Sequence, residues 1–310
     1  MGLQLIPYNT NYDFVGKKNI IFAILGLITI ICLGSVFFHG FNYGIDFKGG
    51  LLLQIRTHEA ADIAKLRSDL SGIVHGEVTL QEFGSPNDVL IRVERQPGGE
   101  EAQMAALDQI KEKIGPNVDY RQVVTVGPKV SEDLIRNGIY AVLWSLVAML
   151  IYVWFRFEWQ FGVCSVITLA HDAIIVLGLF SLFQLEFNET AIIAVLITVT
   201  YSINDTVVIY DRIRENLRKF KKMPMAELVN HSINETLSRT ILTSTTTLLS
   251  LLGLYFFGGP VIAAFSLPII VGISAGTISS ITISAPLLLY MGMRSQGVGN
   301  GSEPNKAKGI

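Results

Sequence analysis

AIIAVLITVTYSINDTVVIYDRIREN, residues 191–216, decides how the rest of the chain is read. Residues 191–210 form an apolar run long enough to cross a hydrocarbon layer, which takes about 20 residues. Asp205 nevertheless lies inside that run, ahead of Asp211, the first charge of the polar stretch that follows. At a helical rise its backbone sits roughly 9 Å inside that boundary. A carboxylate at such depth is costly and marks a functional position by default. Thr198, Tyr201, Ser202 and Asp205 recur at helical spacing and make one polar stripe on an otherwise apolar helix. The run is therefore predicted to be one helix of a membrane bundle, with its stripe turned toward the other helices.

The remainder of the chain supplies those helices. Half of its 310 residues are hydrophobic and only 16% are charged, and the mean hydropathy is +0.45, values outside the range of ordinary soluble domains. Six stretches are long and apolar enough to span: 20–38, 138–155, 161–183, 191–210, 240–257 and 262–291. The first has no small-residue cleavage site before Asn42 and reads as a retained anchor. Lys17 and Lys18 precede the first run, Arg156 follows the second, six cations from Arg212 to Lys222 follow the fourth, and Arg294 follows the sixth. The short loops on the other face carry no Lys or Arg, so the positive-inside rule predicts both termini in the cytoplasm. The net charge of −2 thus reports topology and gives no sign of nucleic-acid binding. The basic cluster is expected to meet anionic lipid headgroups as a general membrane effect. Cys32 and Cys164, both in apolar runs, read as small buried hydrophobes; no metal or cofactor is expected.

The expected organisation is a cytoplasmic N-terminus and first span over 1–40, an outer domain over 41–136, five spans over 137–294 with a basic cytoplasmic loop at 211–232, and a disordered tail at 295–310. Within the outer domain, residues 51–57, 78–83, 89–95 and 118–126 are strand-like. Ile63, Leu66, Leu70 and Ile73, then Leu107, Ile110 and Ile114, recur at helical spacing. The order βαββαβ predicts a ferredoxin-like α+β fold, lying in the periplasm between spans one and two. Turns are expected at SPN (85–87) and QPGG (96–99). The domain shows no nucleophilic or metal constellation, and its topology alone identifies no function. GIDFKGG, residues 44–50, lacks the GxxxxGK[ST] pattern of a phosphate loop. On residues alone it reads as a glycine-rich exit from helix to strand, with Asp46 capping local amides.

Two further polar sites fall inside spans. SINE, residues 232–235, has the pattern of a capping box and is expected to open a helix that carries Arg239 to a depth matching Asp205. Arg239, Thr243, Thr246 and Ser250 share a face, so two polar stripes are expected to meet. A conformation separating Asp205 from Arg239 favours proton uptake and one joining them favours release, which makes the pair a candidate proton relay. A structural ion pair, or an Arg239 that snorkels to the interface, is the simpler reading. His171 and Asp172 point about 100° apart on a helix, so different partners are expected for them. Tyr201, Ser202, Asn204, His171, Asp172 and Thr243 are the candidate supporting polar groups. Gly272, Gly276, Ser280 and Ser284 recur every fourth residue and predict close helix packing.

GIDFKGG at 44–50, YSINDTVVIYDRIREN at 201–216 and SRTILTS at 238–244, in this order on six spans, resemble the signatures of the SecD/SecF family of protein-export translocase subunits, in the resistance-nodulation-division superfamily. The resemblance runs from Lys17 to about Met291. Thr200 departs from it, standing where the family usually has glycine before the tyrosine. The resemblance implies a non-enzymatic auxiliary subunit, working beside a six-span SecD partner, the SecYEG channel with its ATP-driven motor, and YidC. Its implied substrate is an unfolded preprotein emerging on the periplasmic face of the bacterial inner membrane. It also implies that Asp205 and Arg239 form the pathway of protons whose flow drives completion of translocation, with Arg239 as a charge that does not titrate, and that Gly44, Asp46, Gly49 and Gly50 belong to the family signature. The competing readings are a half-size proton-driven exporter of a small molecule or lipid, and a passive assembly subunit.

Overall fold

The computed structural model describes residues 10–76, 78–116 and 118–292; the tail expected at 295–310 lies outside them. Six helices are long and apolar enough to cross a membrane, and the chain is a multi-pass membrane protein. They are α1 (Lys18–Phe38), α5 (Pro128–Arg156), α6 (Trp159–Leu182), α7 (Glu189–Lys219), α8 (Met225–Phe257) and α9 (Gly259–Ser279), the last continued by a π-turn (Ser280–Ser284) and short helical turns to Met291. Helices α6, α7 and α9 pack on one another and form the interior; α1 lies on α6, α5 on α6 and α7, and α8 on α7 and α9.

Local chemistry sets the helix ends. Asn188 caps α7 by accepting from the Thr190 amide at 3.1 Å, satisfying a donor that a helix start leaves free. The other end of α7 runs well past Tyr210 to Lys219, with Arg218 and Lys219 in its last turn, where cations complement the helix dipole. Helix α8 starts at Met225, directly after Pro224. Both facts correct the sequence reading. Most of the stretch expected as a basic loop at 211–232 is helical, with 220–224 as the connection. SINE does not open a helix: Ser232 is buried inside α8 and donates to the Leu228 carbonyl at 2.8 Å, while Glu235 holds Arg212 through two bonds of 2.7 Å. A capping pattern is decided by the start of the hydrogen-bond ladder, and Pro224, which donates no amide, moves that start upstream.

Residues 10–17 lie along α8, where two asparagines one turn apart grip their backbone. Asn234 accepts from the Tyr12 amide at 2.8 Å and Asn230 from the Phe14 amide at 2.9 Å. Both side-chain amides donate to the Tyr12 carbonyl at 2.9 Å.

Between α1 and α5 come β1 (Asn42–Tyr43), α2 (Ile45–Lys48), β2 (Gly50–Thr57), α3 (Ile63–Leu70), β3 (Val78–Phe83), β4 (Ser85–Glu94), α4 (Gly99–Ile114) and β5 (Val118–Val126). Strands β2 to β5 form an antiparallel sheet in the order β3-β4-β2-β5. Alternation along the strands buries one face: Leu51, Leu53 and Ile55 of β2 and Val89, Ile91 and Val93 of β4 are inaccessible, packed with Leu107 and Ile110 of α4. SPN, expected as a turn, lies at the start of β4 instead, and the turn is made at Gly84 with φ of +82°. Proline is tolerated there because the β3–β4 register shifts between Glu82 and Phe83, leaving Pro86 outside the paired positions.

Candidate functional site

A polar seam runs through the interior of the bundle, beside apolar clusters that include Leu169, Val176 and Ile209. On α7, Thr198, Ser202, Thr206 and Tyr210 stand one above another, and all four are buried. They meet Gly272, Gly276, Ser280 and Ser284 of the last span in parallel register. A Cβ added at Gly272 would collide with Thr198 Oγ1, and one at Gly276 would press on Ser202. Thr206 and Ser280 are hydrogen-bonded at 3.0 Å, and the Tyr210 hydroxyl reaches the Ser284 carbonyl at 3.5 Å. The small-residue stripe thus has its partner within the chain, and glycine is required where the backbones approach most closely. The π-turn begins at Ser280, in the middle of this contact.

Asp172 of α6 is fully buried against the same seam. Its carboxylate accepts from Ser202 Oγ at 2.5 Å and from Ser279 Oγ at 2.8 Å, joining α6, α7 and α9. Its other oxygen lies 3.0 Å from His171 Nδ1. The expectation that His171 and Asp172 have different partners is therefore corrected in part. The Cβ directions diverge, but the side chains are long enough to close that angle. His171 Nε2 is buried and has no hydrogen-bond partner among the described residues, so it offers an open polar position beside Asp172.

Asp205 lies nearer the basic end of α7, with only 8% of its surface accessible. Ser244 of α8 donates to Asp205 Oδ2 at 3.4 Å, and Ser244 is bonded to Thr277 at 2.7 Å. Arg239 is within electrostatic reach, yet no ion pair joins the two among the described residues. The stripe of Arg239, Thr243, Thr246 and Ser250 is exposed, turned away from the bundle. Its hydroxyls donate back to carbonyls of their own helix, Thr243 to Arg239 and Ser250 to Thr246, each at 3.1 Å. The two stripes do not meet as expected. On α7 the inward face is Thr198, Ser202 and Asp205, whereas Tyr201 at 39% accessibility and Asn204 look outward. Thr200, the departure from the family pattern, is also exposed and bonds only the Leu196 carbonyl of its own helix, at 2.8 Å.

Sequence reasoning missed Ser244 and Thr277. Ser244 could have been found at one turn beyond Thr240, on the face that buries Ile233 and Leu237. Thr277 gives no signal beyond being a hydroxyl in an apolar run.

GIDFKGG forms a second site, where the sheet domain meets the bundle. Strand β1 pairs in parallel with β6 (Glu186–Phe187), in the turn between α6 and α7. The Gly44 amide donates to the Phe187 carbonyl at 2.9 Å, and a Cβ at Gly44 would strike Glu186 Oε1. Asp46 does not cap local amides as expected. Its Oδ2 accepts from the Glu189 amide at 3.4 Å, at the N-terminus of α7, where an anion is favoured. Gly49 and Gly50 have φ of +73° and +142°, and a side chain at Gly50 would meet the Val93 carbonyl. Phe41 stacks on Phe187 at 4.5 Å. Arg92 of β4 forms an ion pair with Glu186. Burial raises the Glu186 carboxyl above its ordinary range, with Arg92 opposing and Asp46 adding to the shift.

The profile described as "Protein export membrane protein SecD/SecF, C-terminal" matches residues 106–294, and that of the "SecD/SecF GG Motif" matches 34–61. A protein translocase subunit SecF of Rickettsia felis is 46% identical over 299 residues, covering 94% of this chain and 96% of its own. That of Rickettsia conorii is 47% identical over 293 residues, covering 92% and 94%. The crystal structure of SecDF from Thermus thermophilus superposes with a TM-score of 0.80 at 39% identity over 94% of this chain. A super-membrane-facing form of SecDF gives 0.69 over 95%. The chain spans 40% of the length of those SecDF chains. With both profiles falling in order on six apolar helices and an intervening sheet domain, the chain belongs to the SecD/SecF family of protein-export membrane proteins.

Proposed function

We propose that proton movement past Asp205 drives the part this chain plays in protein export. As a member of its family the chain is an auxiliary, non-enzymatic subunit of the Sec translocase, and it works with a SecD partner. The observation that carries the proton reading is Asp205 itself. It is a buried carboxylate on the bundle's polar seam, held by hydroxyls of α8 and the last span and lacking a close cation in this conformation. Arg239, on the adjacent helix, supplies a fixed charge that does not titrate. A rotation of α8 that turns Arg239 inward favours release of the proton, and the outward position favours its uptake. One charge crossing 100 mV releases about 2.3 kcal/mol, enough to bias a two-state bundle without driving it fully to one state.

The exposed polar groups Arg239, Thr243, Tyr201 and Asn204 support a second membrane half seated on this side, because isolated polar side chains do not face lipid without cost. In this reading both termini are cytoplasmic and the membrane is the bacterial inner membrane. The sheet domain is then a periplasmic domain of ferredoxin-like type, a reading supported by its βαββαβ element order. SecYEG, YidC and an unfolded preprotein are the further partners, and the supporting groups of the relay are Ser202, His171 and Asp172.

Replacement Asp205→Asn tests the reading. Co-purification with SecD is expected to persist while the dependence of preprotein export on the proton-motive force is lost. If assembly and that dependence both survive, the chain is a passive assembly subunit and the relay is wrong.

A further inference from the structure

At the basic end of the bundle, a cleft of about 450 Å³ is lined by Arg156, Asp211, Arg214, Glu215, Arg218 and Lys219. Four cations face two carboxylates, so the cleft is basic. Two of the guanidiniums are held in place. Arg156 is paired with Asp211 at 2.7 Å, and Arg214 donates to the Arg156 carbonyl at 3.1 Å. Both lie against the ring of Phe157, at 4.9 and 6.0 Å from its centre. Fixing an arginine by stacking reduces the freedom it loses when an anion binds, and its remaining donors match phosphate oxygens. Arg218 has no ion pair or hydrogen bond among the described residues. The contrast with Arg212 on the same helix is informative, since that guanidinium is already satisfied by Glu235 and Glu215.

The second observation is what borders the cleft. Trp154, Phe155 and Trp159 are 63%, 90% and 53% accessible, immediately before and after Arg156 and Phe157. Exposed tryptophans at a helix end mark the level of the lipid headgroups. A basic cleft at that level, beside an exposed apolar surface, fits a ligand with a phosphate above and hydrocarbon below. We propose that Arg156, Arg214 and Arg218 bind the phosphate of an anionic phospholipid, whose chains lie along Trp154, Phe155 and Trp159. This goes beyond general attraction of basic residues to an anionic surface, because it assigns one lipid to one cleft.

The test uses the full chain in phosphatidylcholine vesicles, with Trp144→Phe so that the remaining tryptophans, Trp154 and Trp159, report on the cleft. Brominated phosphatidylglycerol is expected to compete for quenching about tenfold better than brominated phosphatidylcholine. Arg156→Gln with Arg214→Gln and Arg218→Gln should abolish that preference. Arg218→Gln alone, which disturbs no internal bond, should reduce it, and Lys221→Gln with Lys222→Gln should leave it intact. Equal quenching by the two lipids would overturn the proposal, as would a loss of preference as large in the Lys221/Lys222 variant as in the arginine variants. Competition by inorganic phosphate would assign the cleft to the free anion. Loss of the preference on adding purified SecD would assign it to an acidic protein surface, and either result removes the lipid.

Discussion

The sheet domain and the membrane bundle differ in what their centres hold. In the sheet domain the centre is apolar: Leu51, Leu53, Ile91 and Val93 have no accessible surface, and the buried charge of Asp88 is paired with Arg56. In the bundle a polar seam of Asp172, Ser202, Thr206, Ser279 and Ser280 runs beside the apolar clusters, while Phe155, Leu249 and Phe256 are exposed on the outside. The difference follows from the solvent. Water drives apolar surface inward at roughly 25 cal/mol per Å². Lipid gives no such drive, so helices associate through close packing of small residues and interhelical hydrogen bonds.

The same substitution should therefore have opposite weight in the two regions. Leu53→Ala, which opens a cavity in the sheet core, is expected to cost about 2–5 kcal/mol and to make the outer domain sensitive to limited proteolysis. Leu249→Ala, at an exposed position of α8, should change the stability of this chain by less than about 0.5 kcal/mol, as read from thermal aggregation in detergent. Similar losses at both positions would break the contrast. In the bundle the sensitive positions are small or polar. Gly272→Val places a branched side chain against Thr198 and is expected to cost about 1–3 kcal/mol, whereas Gly253→Val, with open space around it, should be milder by the same assay. Asp172→Leu strands the hydroxyl of Ser202 and leaves Ser279 only the Gly276 carbonyl, and should cost about 1–3 kcal/mol, with Asp172→Asn closer to wild type.

The smallest expected effect concerns pH at the outer domain. Arg56, bound through two bonds of 2.7 and 2.6 Å, holds the Asp88 carboxyl down to about 2. A lowered carboxyl contributes stability that is fully present above its ordinary value near 3.8 and is lost as pH falls toward 2. Arg56→Gln should flatten that part of the acid unfolding profile by slightly lowering stability at neutral pH and leaving it unchanged below about pH 2, the loss being small because the guanidinium is partly exposed.

The contrast also explains what could be read without coordinates. Six spans announce themselves because lipid demands uninterrupted apolar length. The order of strands and helices in the outer domain follows from two different periods of burial. Rotation of a membrane helix about its axis is another matter. On α8, hydroxyls occur on both the buried face, at Thr240 and Ser244, and the exposed one, at Thr243 and Thr246. Periodicity therefore does not distinguish them, and the Arg239 stripe reads as inward from sequence although it is exposed. The His171–Asp172 contact escaped because Cβ direction ignores side-chain reach. The SINE pattern alone points to a later start of α8 than Pro224 sets.

The segment around GIDFKGG has a mechanical meaning. Two chain crossings, from α1 and into α5, attach the sheet domain to the bundle. The strand pair at Asn42 and Glu186, with the Arg92–Glu186 bond, adds a third foot planted on the turn that joins α6 to α7. A body standing on three feet cannot swivel on a thread. To tilt, it must lift one of them, and the foot without a covalent bond is the one that rests on the two helices bearing Asp172 and Asp205.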